Sequence, residues 1–154
     1  VLSDHGVGPF RRAFDTNTWL CQNGLLALKD SRKQGEDLGE GFAEVDWSKT
    51  YAYAVGLGGI YLNFKGREGG GILEEGSEAE RVRNAIQAGL ADFPDAHTQR
   101  AAIRSVSRRE ELYSGAFVEN SPDLLVNFHA RFRLSLHSAV GGFAHSGLAD
   151  KHRR

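Results

Sequence analysis

The residues best suited to chemistry are Asp4 and His5, side by side in the opening run Val1-Leu2-Ser3-Asp4-His5-Gly6. A carboxylate oxygen and an imidazole nitrogen are both ligands that zinc-type cations accept, and together they supply half of a four-ligand shell. The small apolar residues ahead of them read as the end of a buried strand, and Ser-Asp-His-Gly as the turn that leaves it. Open α/β sheets keep their ligand sites at that end of their strands. By spacing alone the pair reads first as an Asp-His turn closed by local hydrogen bonds, and only second as a metal site. The chain opens without Met, already inside a strand, and contains no Met at all. It therefore reads as a piece of a larger metalloenzyme.

Other groups compete for a role. Lys65-Gly66-Arg67-Glu68-Gly69-Gly70-Gly71 offers two cations and backbone N–H groups that could cradle a phosphate. The plainer reading is a strand-ending turn whose glycines take positive φ, with Arg67, and Lys65 beside it, as candidates to face an anionic substrate. The late histidines His129, His137, His145 and His152 stand eight, eight and seven residues apart. That is wider than the His pairs of structural zinc sites, so they read as surface or strand-face residues. Arg131 and Arg133 share one strand face, by default a solvated one. Trp19 and Trp47 read as packing residues.

These groups need elements to position them. Val7 to Arg12 is a loop by its Gly and Pro, and Asn17 to Gly24 a short helix with Asn17 as N-cap and Gly24 past its end. Residues 29–44 are polar and Gly-rich, a surface excursion or mobile loop. Ile60 to Lys65 alternates, placing Ile60, Leu62 and Phe64 on a core face. Ser77-Glu78-Ala79-Glu80 has the form of a capping box. The helix it opens carries Ala79, Val82, Ala85, Ile86, Leu90 and Phe93 at helical spacing, and Pro94 stops it. Ala102 to Val106 and Leu124 to Phe128 are strands, with Arg108 to Glu111 a turn or short helix. His129 to His137 alternates so strictly that one strand with one buried face is expected. The tail beyond Gly142 reads as charged and poorly ordered.

Composition narrows the partners. The chain of 154 residues suffices for one domain, its charged fraction is 25%, and its formal net charge is −1. No overall field favours nucleic acid or an anionic membrane. No apolar run approaches the roughly 20 residues that span a bilayer. The single Cys21 excludes an intrachain disulfide.

Taken in order, Ser3-Asp4-His5-Gly6, Arg11-Arg12, Asn17-Thr18-Trp19-Leu20 and Gly24 resemble the alkaline phosphatase superfamily, most closely its type I phosphodiesterase/nucleotide pyrophosphatase branch. The likeness continues through Val45 to Thr50, Ala52-Tyr53-Ala54, Ile60 to Asn63, Lys65 to Glu68, Arg108 to Glu111, Pro122-Asp123-Leu124 and Gly141-Gly142. It implies an α/β fold, here a partial alkaline-phosphatase-like α/β/α sandwich with a mixed sheet. Residues 1–154 would be a single partial domain from the C-terminal portion of a larger phosphohydrolase. In that family two divalent metals, usually zinc with manganese as the alternative, flank the phosphoryl group while a Thr or Ser upstream attacks phosphorus. The Asp-His pair supplies ligands to one metal, and this carries over to Asp4 and His5 only. With the resemblance, metal ligation becomes the leading reading of that pair. The nucleophile and the other ligands have no counterpart here, and Leu136 stands near the place of a family aromatic.

The expected substrate is a phosphate ester or nucleotide, with no nucleic acid partner. Two rival readings are a phosphomutase of the same superfamily and a non-catalytic binding domain with that fold. The ordered core is expected around Leu62, Phe64, Ile86, Leu90, Leu125, Phe132 and Leu134. The Asp4-His5 turn should lie at its margin, and copies should self-associate over a cut sheet edge.

Overall fold

Alternation in the middle of the chain builds the larger of two sheets. The computed structural model describes residues 8–34, 36, 38, 41–95, 97–144 and 147–150. Strands β2 (Ala52–Val55), β3 (Gly59–Leu62), β4 (Ile103–Arg108) and β5 (Leu124–Phe128) form an antiparallel sheet in the order β2-β3-β5-β4. Ile60, Leu62 and Phe64 are buried together, as their spacing requires. Gly56 and Gly58 carry φ of 73° and 99° in the turn joining β2 to β3, angles that only glycine adopts without cost.

The outer edge of β2 is closed by groups that are not strands. Leu25 O accepts from Ala52 N at 3.1 Å, and Ala139 O accepts from Gly56 N at 2.9 Å. Between them the Asn17 amide accepts from Ala54 N at 2.8 Å and donates to Ala54 O at 2.9 Å. An edge whose N–H and C=O groups are already paired offers little to another strand.

The second sheet has the order β6-β1-β7. Strand β1 (Arg12–Phe14) runs parallel to β6 (Phe132–Leu134) and antiparallel to β7 (Leu148–Asp150). The chain is thus mixed α/β, with one mixed and one antiparallel sheet. Arg12 lies in β1 rather than in the expected loop, and β7 occupies part of the tail expected to be poorly ordered. Both strands have three residues, too few for alternation to reveal.

Helix α1 (Thr16–Gln22) begins at Asp15, whose carboxylate accepts from Thr18 N. The expected cap, Asn17, lies inside the helix. Trp19 packs so closely on helix α2 (Ser77–Leu90) that a Cβ on Gly89 would meet its ring at 2.7 Å. Ala79, Val82, Ile86 and Leu90 of α2 are buried, as their period predicts. Ala85 is exposed instead, and Arg83 is buried, its guanidinium paired with Glu75 and Glu80. The N-cap is Gly76 and not Ser77, with no side-chain bond. Glu80, expected to close a capping box, pairs with Arg83 and Arg108. The helix stops at Leu90, before Phe93, which packs edge-on to Phe14 at 5.1 Å between ring centres.

The single strand expected over His129–His137 is three elements. Phe132 N donates to His129 O in a turn where Arg131 takes φ 77°; β6 follows, and Ser135 then caps α4 (Leu136–Ala139). Ala130 and Leu136, expected on the buried face, are exposed, and Phe132 is half-buried. In β5 it is Leu124 and Val126 that are buried, with Leu125 half-exposed, because the sheet turns the other parity of this apolar run inward. Ser31–Lys33, within the 29–44 excursion, forms a 3-10 turn tied down by Lys33 to Glu44 at 2.8 Å.

Candidate functional site

Asp4 and His5 lie outside the described residues, as do Val1 and Leu2. The described segment that follows them enters β1, whose carboxyl end lies beside that of its parallel neighbour β6. This is the edge at which α/β sheets hold ligands. Asp15 leaves β1 there and Ser135 leaves β6, with Ser135 N donating to Phe14 O at 2.7 Å. Each caps the helix that follows: Asp15 Oδ1 accepts from Thr18 N at 2.9 Å, and Ser135 Oγ from His137 N at 3.1 Å. Ser138 Oγ accepts from Asn17 N at 3.1 Å and so ties the two helix starts together. His137 is exposed, and its Nδ1 lies 3.3 Å from Phe143 O, which orients the ring.

Asp15 is the chemically distinctive group of this edge. Burial pushes its carboxyl up, against the opposing pull of Thr18, Ser135 and His137. An acid with a raised folded-state pKa stabilises the fold fully below its unfolded value, about 3.9, and loses that contribution as pH rises through the folded value. Asp15→Asn, which caps as well without the charge, is therefore expected to be more stable than the parent at pH 7 and to lose this excess in acid. Urea midpoints measured between about pH 4 and pH 7 check it; a midpoint lower than the parent's at pH 7 would count against the assignment. Sequence reasoning missed Asp15 although the signal was present: Asp is a preferred N-cap residue, and the cap was read two residues too late, at Asn17.

Lys65 and Arg67 meet at a shallow cleft of about 390 Å³. Gly66 takes φ 81°, so the segment is a turn, and Gly71 sits there because a side chain would run into the Phe64 carbonyl. Arg67 is spread over Asp123, 2.7 and 3.1 Å from its two oxygens, and also reaches Glu68 at 2.7 Å. Burial works against its charge, and these carboxylates outweigh burial and hold it ionised. Lys65 Nζ pairs with Glu74 Oε1 at 2.7 Å. Arg109, Glu74, Glu75 and Glu119 line the same cleft, and Arg109 donates to the Glu119 carbonyl at 3.3 Å. Cations and carboxylates balance in this cleft, so an anion entering it must displace an internal partner.

The aromatic residues are packed as expected. Trp19 is buried, and Trp47 joins Phe42 and Tyr53 in edge-to-face contacts of 5.2 to 5.5 Å. Tyr53 OH lies 3.2 Å from Glu68 Oε1; burial, then Glu68, pushes the phenol up, so it stays a donor. His145 and His152 lie outside the described residues. Among the described residues, no group of three or more His, Cys, Asp or Glu side chains is placed to hold a metal ion, and no helix is long and apolar enough to cross a membrane.

The chain matches no protein-family model, no curated protein and no solved structure.

Proposed function

We propose that the chain is part of a metal-dependent phosphoric ester hydrolase of the alkaline phosphatase superfamily, of the phosphodiesterase/nucleotide pyrophosphatase type. The observation that carries this reading is the ordered set of motifs running from Ser3-Asp4-His5-Gly6 to Gly141-Gly142. A parallel strand pair just downstream of the first motif is consistent with it. The partial alkaline-phosphatase-like sandwich is part of the same proposal.

The donor chemistry of Asp4 and His5, one hard oxygen and one imidazole nitrogen, suits zinc or manganese. The resemblance assigns only Asp4 and His5 to that shell, and the family's nucleophile and other ligands are matched to no position of this sequence. When bound, two divalent ions would polarise the phosphoryl group and offset charge on the leaving oxygen. Asp4 and His5 would hold one of them, Asp4 ionised and His5 neutral, and would move no proton themselves.

The expected result for the 154-residue chain is weak zinc binding, lost in Asp4→Ala and in His5→Ala, with no hydrolysis of an aryl phosphodiester above background. A four-ligand structural site contributes on the order of 10 kcal/mol, and two ligands should give far less. Calorimetry at neutral and acid pH measures it. Zinc binding indifferent to both substitutions, or nanomolar affinity, would overturn the assignment.

A further inference from the structure

We propose that Arg11, Arg131 and Arg133 form a binding surface for a small diphosphate-bearing anion. They lie at the start of the β1–β6 pair. In the parallel register Arg12 is level with Phe132 and Ala13 with Arg133, while Arg12 and Phe14 point inward. Ala13 and Arg133 therefore share the opposite face, and just ahead of the two strands Arg11 N donates to Arg131 O at 2.8 Å. This surface does not depend on metal ligation by Asp4 and His5.

Charge and conformation set these arginines apart. The other face disposes of its cation internally, since Arg12 is paired with the buried Asp95. Among the described residues no carboxylate pairs with Arg11, Arg131 or Arg133. The Arg133 guanidinium is laid flat over Phe10, 3.9 Å from the ring centre, and its Nε is buried without a hydrogen-bond partner. Stacking fixes the plane of the fork and leaves its outer N–H edge to a ligand. Arg131 holds φ 77°, a conformation that costs a side-chain-bearing residue and suits glycine.

Geometry selects the ligand class. Neighbouring strands lie about 4.8 Å apart, and the bond from Arg11 N to Arg131 O holds those two backbones side by side. Two guanidiniums at such spacing can close on opposite oxygens of one phosphate while the third reaches an adjoining one. Paired N–H forks match phosphate oxygens, and three fixed positive charges favour a multiply charged ion over a lone carboxylate.

Inorganic pyrophosphate titrated into the purified chain at low ionic strength tests the proposal. Saturable binding is expected, weakened about tenfold or more by Arg131→Gly and by Arg133→Gln. Arg32→Gln, which removes an arginine already paired with Asp30, should leave it unchanged. Arg131→Gly should also melt no lower than the parent because it relieves the left-handed turn, so weaker binding in this variant is not a folding defect. Absence of saturable binding, affinity unaltered in both variants, or equal competition by sulfate at matched ionic strength would each overturn the proposal.

Discussion

Replacing Asp123 by alanine is expected to cost about 3–5 kcal/mol of stability, the range for removing one partner of a buried ion pair. The Asp123 side chain is fully buried at the start of β5 and gathers three elements. Its Oδ2 accepts from Leu62 N of β3 at 2.8 Å, both oxygens take the Arg67 fork, and Arg109 of α3 (Arg109–Leu112) approaches to 3.3 Å. Alanine would leave a half-buried guanidinium without its main counter-charge and a buried amide without an acceptor. Asp123→Asn keeps the shape and one acceptor and should lose less. The double variant Asp123→Ala/Arg67→Met removes the stranded charge as well and should recover part of the loss. Guanidinium unfolding of the four proteins gives these differences. A cost below about 1 kcal/mol for Asp123→Ala would mean that the pair behaves as an exposed one.

Asn17→Ala is expected to lose about 3 kcal/mol or more. The side chain is wholly buried and makes three bonds: from Ala54 N, to Ala54 O, and to Gly142 O at 3.3 Å. Each buried backbone group left unpaired costs on the order of 1–3 kcal/mol, and the vacated volume adds to that. Asn17→Asp keeps the acceptor for Ala54 N but sets a charge against two carbonyls, and should be no better. Hydrogen exchange locates the effect: protection of the Ala54 amide should fall most, while amides at the β4–β5 pairing should follow global stability alone. Equal losses everywhere with no excess at Ala54 would argue against this role.

Asn17 also marks where sequence reading succeeds and where it stops. Its type and place beside an apolar helix suggest a cap, since local rules see only neighbours along the chain; its partners, Ala54 and Gly142, are brought to it by the tertiary fold. The same holds at Asp123, which no local pattern connects with Leu62, Arg67 and Arg109. Strand β3 was legible from its alternation and β5 from its apolar run, although that run did not say which parity faces inward. Helix α2 was legible through its buried stripe. Its start was not, because a left-handed Gly76 and the competing pull of Arg83 and Arg108 on Glu80 override the capping signature. At His129–His137 the alternation was real but its continuity was not: Arg131 and Ser135 interrupt it, and both breaks are defined by pairing with β1. Of the candidate site, the turn at Lys65–Gly71 could be read from its glycines, whereas the meeting of Asp15 and Ser135 required the parallel register.

That register has a consequence for how the protein acquires its structure. Residues 12–14 find their partners at 132–134 and 148–150, so the small sheet is closed by contacts of very long sequence separation. Such pairings bear a large loop-closure entropy before any bond repays it, and they slow folding. The four-stranded sheet can assemble first from residues 52–62 and 103–128, while β1 waits for residues 132–150. During synthesis β1 emerges well before residues 132–134 and 148–150, and it stays without these strand partners for that interval. The interval is a period of exposure for Phe14 and its neighbours, and it makes this sheet the late and vulnerable step of maturation.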